Sequence, residues 1–170
     1  MDKGLVHIYC GEGKGKTTAA AGLAVRALGA GLRVVFVQFM KNGRSCEVGV
    51  LKDAGVRFVC GNDTMKFSCD MDAEDRIRAR EGHDRSLREA LTQDCDLLIL
   101  DEACSAYDKD LVDPELVKQA VLGKPEGREV VLTGRDPADW MIECADYVTF
   151  MDCVKHPFKK NIKARKGIEY

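Results

Sequence analysis

The segment Cys10-Gly11-Glu12-Gly13-Lys14-Gly15-Lys16-Thr17-Thr18 places glycines, an ammonium group and two hydroxyls in the order that grips a polyphosphate. Glycines let backbone N–H groups converge on an anion, and a helix that starts where such a loop ends adds its positive terminus. In this arrangement Lys16 reaches the distal phosphates and the Thr17 hydroxyl ligates Mg²⁺. Gly11, Glu12, Gly13, Lys14, Gly15, Lys16, Thr17 and Thr18 are the candidate residues for nucleoside triphosphate binding. The match to G-x-x-x-x-G-K-[ST] is imperfect, because Cys10 stands where the first glycine belongs and Gly11 comes one residue late. Glu12 would repel phosphate unless it points outward.

A second group of candidates is acidic. Asp101-Glu102 ends the apolar run Leu97-Leu98-Ile99-Leu100. On a buried strand next to the strand that feeds the loop, these carboxylates would meet the Mg²⁺ that Thr17 holds. Lys16, Thr17 and Glu102 are the catalytic candidates, and Thr17, Asp101 and Glu102 the metal ligands. Arg135 follows the apolar run ending in Thr133-Gly134, and Arg26 lies lower on the helix after the loop. Both are candidate phosphate clamps, since guanidinium binds phosphate bidentately.

These residues need elements to carry them. Apolar runs at Leu5–Tyr9, Arg33–Phe39, Val56–Cys60, Leu97–Leu100, Glu129–Thr133 and Tyr147–Met151 read as strands covered on both faces, hence parallel. Helical segments fall between them. Thr17–Gly29 is followed by Gly31, and Ala73–Thr92 carries opposite charges four apart at Glu81–Arg85, Asp84–Arg88 and Arg85–Glu89. Asp113-Pro114-Glu115 reads as a cap, a first-turn proline and an acidic first turn, and Asp136-Pro137 as another such start. The alternation predicts an α/β three-layer sandwich with a mostly parallel central sheet, of the P-loop NTPase (RecA-like) class. Lys41–Arg44 and Gly61–Asp72 follow strands two and three, where ligands of open α/β sheets sit.

Composition narrows the field. The 170 residues carry a formal net charge of −2, which predicts one nucleotide-binding domain over 1–170 and no general attraction to nucleic acid. No apolar run approaches the roughly 20 residues of a membrane span, and Met1-Asp2-Lys3 leads straight into a strand, so a cytoplasmic location is expected. Eight cysteines are scattered without a C-x-x-C pair, which reads as reduced thiols rather than a zinc ribbon or a disulfide scaffold.

Taken in order, G-E-G-K-G-K-T-T-A-A-A-G-L-A-V-R-A, V-V-F-V-Q-F-M-K, L-I-L-D-E, V-V-L-T-G-R, A-D-Y-V-T, K-H-P-F and A-R-K-G-I-E-Y resemble the ATP:corrinoid adenosyltransferase family of vitamin B12 metabolism over nearly the whole chain. The late first glycine is part of the resemblance. It implies that a reduced corrinoid attacks the 5′ carbon of ATP and that triphosphate leaves, with Mg²⁺ and positive groups stabilising the leaving anion. It also implies that ATP lies reversed relative to other P-loop enzymes, that a flavoprotein supplies electrons, and that the protein is a homodimer. The motif Val37-Gln38-Phe39-Met40-Lys41 leads to the corrinoid pocket, so Phe39 and Lys41 join Phe67, with Met65, as corrinoid-side candidates. Trp140 is read as packing.

Several positions depart from the resemblance. Family members often carry an arm before the first strand, which here begins close to Met1. Tyr107 follows Asp101-Glu102 later than usual, and Phe150 replaces an acidic residue. The segment 152–170 is basic, with Lys155, Lys159, Lys160, Lys163, Arg165 and Lys166 beside His156, and reads as a tail packed on the domain over the nucleotide. Two other readings stay open. One is a different P-loop enzyme such as a nucleoside kinase, although the cysteine lasso of the thymidine kinase type is absent, as is the N-K-x-D motif of a GTPase. The other is an ATP- and corrinoid-binding protein without turnover.

Overall fold

The computed structural model describes residues 3–61, 66 and 68–170. Its strands are β1 (Val6–Cys10), β2 (Val34–Gln38), β3 (Arg57–Val59), β4 (Leu97–Asp101), β5 (Glu129–Thr133) and β6 (Tyr147–Phe150). Its helices are α1 (Lys16–Gly29), α2 (Cys46–Asp53), α3 (Ala73–Leu91), α4 (Ala103–Asp108), α5 (Pro114–Leu122) and α6 (Asp139–Cys144). The strands form one six-stranded sheet in the order β3-β2-β4-β5-β1-β6, and every neighbouring pair is parallel. Among the described residues no helix is long and apolar enough to cross a membrane.

Alternation along the strands divides the core. Val34, Phe36, Leu97, Ile99 and Val131 face α1 and α2. Val35, Val37, Leu98, Leu100, Val130 and Leu132 face α3, α5 and the short helices. Helix α1 approaches the sheet through Ala20, Ala24 and Ala27, whose small side chains permit a close crossing. The central strands are apolar on both faces because both faces are covered.

Three sequence readings need correction here. The strand bearing Asp101 does not adjoin the loop strand: β5 lies between β1 and β4. Thr133 at the end of β5 fills that gap chemically, as described below. The helix expected from Asp136-Pro137 instead begins at Asp139, capped by Ala138 with no side-chain cap bond; Asp136 belongs to a bend after β5 and Pro137 to the irregular chain that follows it. By contrast, Asp113 caps α5, its carboxylate accepting from Glu115 N at 3.0 Å. Along α3, Arg78 pairs with Glu74 at 3.2 Å and with Asp75 at 2.7 Å, whereas the charges expected to pair at Glu81–Arg85, Asp84–Arg88 and Arg85–Glu89 turn to other partners. Asp84 accepts from Asp113 N at 2.7 Å, Glu89 pairs with Arg57 at 2.7 Å, and Arg88 approaches Asp113 at 4.0 Å. Neighbouring elements offer those side chains partners that compete with the next turn.

One buried polar contact sets the exit of β2. His83 of α3 is fully buried. Its Nε2 accepts from Met40 N at 2.9 Å, so Nδ1 carries the proton and donates to Leu111 O at 2.7 Å. Phe39 packs edge-on against the ring at 5.4 Å. Met40 takes a left-handed conformation, φ 52°, which a non-glycine residue holds only where its surroundings enforce it. Here the enforcement is the imidazole.

Burial pushes the His83 imidazole below the ordinary histidine value of 6.5, against a smaller opposing effect of the Leu111 carbonyl. The unfolded chain therefore binds a proton below that pH that the native chain refuses, so stability is complete above it and declines as pH falls. Thermal melting at pH 7.5 and 5.5 tests this: wild type loses melting temperature on acidification, and His83→Gln loses less. His83→Ala at pH 7.5 is expected to cost about 3 kcal/mol in denaturant titration, because it leaves a buried N–H and a buried carbonyl unpaired.

Candidate active site

The loop between β1 and α1 is braced on both sides. Gly11 N donates to Arg135 O at 3.1 Å, Gly13 N to Met151 O at 2.7 Å, and Met151 N to Cys10 O at 2.8 Å. Gly11 and Gly15 have φ of 100° and 121°, open to glycine at little cost. A Cβ on Gly13 would stand 2.6 Å from the Asp152 carbonyl oxygen. The late first glycine follows from this geometry. Cys10 is the last residue of β1, only 2% exposed, and packs as a core residue; the turn begins after it. Burial raises its thiol pKa.

Lys16 folds over the loop, donating to Gly11 O at 2.6 Å and Gly13 O at 2.9 Å. This places its ammonium at the rim that the loop amides and the start of α1 surround. Arg135 stands across the mouth, its guanidinium 3.0 Å from Glu12 Oε2. Glu12 is thus engaged by a guanidinium, and this exposed pair holds little energy that an arriving phosphate would have to replace. Arg26 is not brought to the site. It sits exposed on the last turn of α1, about 15 Å along the axis from Lys16 at helical rise, too far to clamp phosphate.

Asp101 is the hub of the site. It is fully buried and accepts four bonds. Thr17 Oγ1 donates to its Oδ1 at 2.8 Å, as does Thr133 Oγ1 at 2.8 Å. Gln38 Nε2 donates to Oδ2 at 3.2 Å, and Lys41 Nζ at 2.7 Å. Lys41 Nζ also donates to Thr17 Oγ1 at 2.9 Å. Gln38 Oε1 is a buried acceptor without a partner among the described residues. Hydroxyl, carboxylate and amide oxygens are the hard donors that Mg²⁺ takes, and a cationic group already stands between two of them. The residues present therefore suit that ion.

Three candidates take places other than those expected. Glu102 is left-handed, φ 63°, and caps α4; its carboxylate accepts from Ser105 Oγ at 2.9 Å and is not among the groups bonded to Thr17 or Asp101. Its own N–H donates to Thr133 Oγ1 at 2.9 Å, which ties the backbone there. Phe39 is fully buried against His83, so it packs rather than faces a ligand. Lys41, assigned to the corrinoid side, has its ammonium in the Asp101 cluster. Phe67 and Met65 lie outside the described residues. Trp140 packs as read, its Nε1 donating to Tyr107 OH at 3.1 Å.

Sequence reasoning passed over Thr133, His83 and the cluster role of Lys41. Thr133 carried a usable signal, a hydroxyl ending an apolar strand just before the glycine and arginine. Gly134 behind it is closed to side chains, since a Cβ would stand 2.6 Å from Cys104 Cβ; α4 thereby lies tight on the end of β5.

Cavities flank the loop. One of about 570 Å³ is lined by Thr17, Thr18, Lys41, Lys66 and the segment 167–170. Another of about 810 Å³ lies between Gly13, Lys14 and the tail, including Lys155, Phe158 and Ile162. Glu169 borders both. Arg165 grips it at 2.9 Å and holds its carboxyl down to about 2. The basic tail thus runs beside the loop.

Comparison with known proteins agrees with this geometry. Residues 2–170 match the family model described as ATP:corrinoid adenosyltransferase BtuR/CobO/CobP. A corrinoid adenosyltransferase of Escherichia coli K12 is 34% identical over 99% of this chain and 87% of its own length. One from a Sinorhizobium species is 33% identical over 99% and 81%, and corrinoid adenosyltransferase CobA of Salmonella typhimurium is 33% identical over 99% and 87%. By this match along nearly the whole chain, the protein belongs to the ATP:corrinoid adenosyltransferase family.

Proposed function

We propose that this chain transfers the 5′-deoxyadenosyl group of ATP to the cobalt of a reduced corrinoid, in adenosylcobalamin synthesis or salvage. The cobalt electron pair forms the bond to C5′, the C5′–O bond breaks, and triphosphate leaves with those electrons. The observation that carries this reading is the braced loop and the Asp101 cluster within a chain matched to the family from residue 2 to 170.

Because the metal centre of the corrinoid is the nucleophile, no side chain need be activated to attack. The protein's task is to bind and neutralise the leaving anion. Loop amides, Lys16 and Arg135 would do so in this reading, and preorganised donors cost no rearrangement as charge develops. Thr17 and Asp101 would hold Mg²⁺, which adds charge stabilisation at the polyphosphate when bound. Glu12 keeps Arg135 at the mouth until phosphate takes it. The family likeness also implies a flavoprotein electron donor, a homodimer and a cytoplasmic location.

The test is an assay with ATP, Mg²⁺ and chemically reduced cobalamin. Light-sensitive adenosylcobalamin and stoichiometric triphosphate are expected. Release of phosphate or diphosphate would move the protein to another P-loop chemistry, and ligand binding without turnover to a carrier. Lys16→Ala is expected to lower kcat/KM by about 100-fold, the scale for removing one donor from a charge-stabilising site; steady-state kinetics read it.

A further inference from the structure

Lys41 and a divalent metal have claims on the same place. The Lys41 ammonium is bonded to Thr17 Oγ1 at 2.9 Å and Asp101 Oδ2 at 2.7 Å, the oxygens read above as metal ligands. A metal ion bound between them would stand where the ammonium stands, and two cations at such a separation repel strongly in a buried setting. The side chain is 29% exposed and opens onto the 570 Å³ cavity beside Thr17 and Thr18. Its backbone is held in place, since Met40 N is bonded to His83 and Lys41 O accepts from Cys60 Sγ at 3.4 Å. The stem is thus anchored at one end and free to swing at the other.

Asp101 supplies the reason for the arrangement. A fully buried carboxylate needs compensating charge, and two hydroxyls with one amide supply none. We propose that Lys41 is a resident cation: it neutralises Asp101 while the nucleotide is absent, yields that place to Mg²⁺ when the metal–nucleotide enters, and then turns its ammonium to the polyphosphate. This gives Lys41 a role in the nucleotide site in place of the corrinoid contact that the resemblance implied, and rests on the reading of Thr17 and Asp101 as metal ligands. One consequence is that free metal binds weakly and ATP-bound metal well. The site would then stay primed for the complex and resist loading by the ion alone.

The test uses the full chain and Mn²⁺ as a paramagnetic substitute for Mg²⁺, titrated by electron paramagnetic resonance without nucleotide. Lys41→Met, which keeps the stem and removes the charge, is expected to bind Mn²⁺ at least about tenfold tighter than wild type. Lys41→Arg, which keeps the charge, should stay near wild type. Adding Asp101→Asn to Lys41→Met should abolish the gain. Equal Mn²⁺ affinity in wild type and Lys41→Met overturns the proposal, as does a gain that survives Asp101→Asn. Should Lys41→Met fail to fold, judged by circular dichroism, amine acylation of wild type read by mass spectrometry decides: Lys41 is protected in the free protein and gains reactivity with Mg²⁺ at saturating concentration, and unchanged reactivity overturns the handover. Adenosyl transfer is scored separately. A chain that gains Mn²⁺ affinity but makes no adenosylcobalamin keeps the cation handover and loses the proposed function.

Discussion

A buried carboxylate organises this molecule around itself. Asp101 has no access to solvent, and leaving its charge bare would cost far more than any one contact returns. Its oxygens are met instead by Thr17 of α1, Thr133 of β5, Gln38 of β2 and Lys41 of the following loop. Each comes from a different segment, so satisfying one charge fixes those segments with respect to one another. The sheet order makes this possible. With β4 between β2 and β5, Gln38 and Thr133 flank Asp101 from either side. The P-loop helix supplies Thr17 from above, although its own strand lies one place further along.

The glycine loop has a second kind of support. Backbone donors of Gly11 and Gly13 are bonded to carbonyls at the ends of β5 and β6, so the loop's curvature is set before any anion arrives. The cost is that those amides are spent internally. The positive character of the cup then rests on the remaining loop amides, the start of α1 and the Lys16 ammonium. Arg135 serves twice: its carbonyl braces Gly11, and its guanidinium waits on Glu12. Strand β5 thereby links the two halves of the site, through Thr133 to Asp101 and through Arg135 to the loop.

Behind these contacts lies His83. A neutral imidazole that accepts from Met40 and donates to Leu111 keeps the chain turning sharply after β2. Without that turn Lys41 would not face Asp101. The residue touches no candidate ligand, and acts through backbone geometry alone.

Much of the fold was legible in local pattern. All six strands stand within a residue or two of their apolar runs; the central ones are apolar throughout because both faces are covered, whereas β6, read the same way, is an edge strand exposed along its length. Helix α3 announced itself by its length and its dense charges; its Asp72 capping box was not read from the sequence. Helices α2 and α4 did not. The first is eight residues long and carries a glycine, and the second is capped by a left-handed Glu102 whose side chain accepts no bond from the helix backbone, so neither shows a start signal. At the site, Thr17 and Asp101, expected from residue type and spacing to stand together, do meet. Glu102, Phe39, Lys41 and Arg26 were assigned partners that the fold does not give them.

The difference has one physical origin. Sequence alone determined which residues have the chemistry for a polyphosphate and a hard cation, since glycine freedom, ammonium charge and carboxylate hardness belong to the residues themselves. Only the tertiary structure decided which of them meet. Strand order inserts β5 between β1 and β4, one hydrogen bond from α3 aims Lys41, and the pleat buries Phe39. Those outcomes depend on contacts between segments far apart in the chain, and no local spacing encodes them.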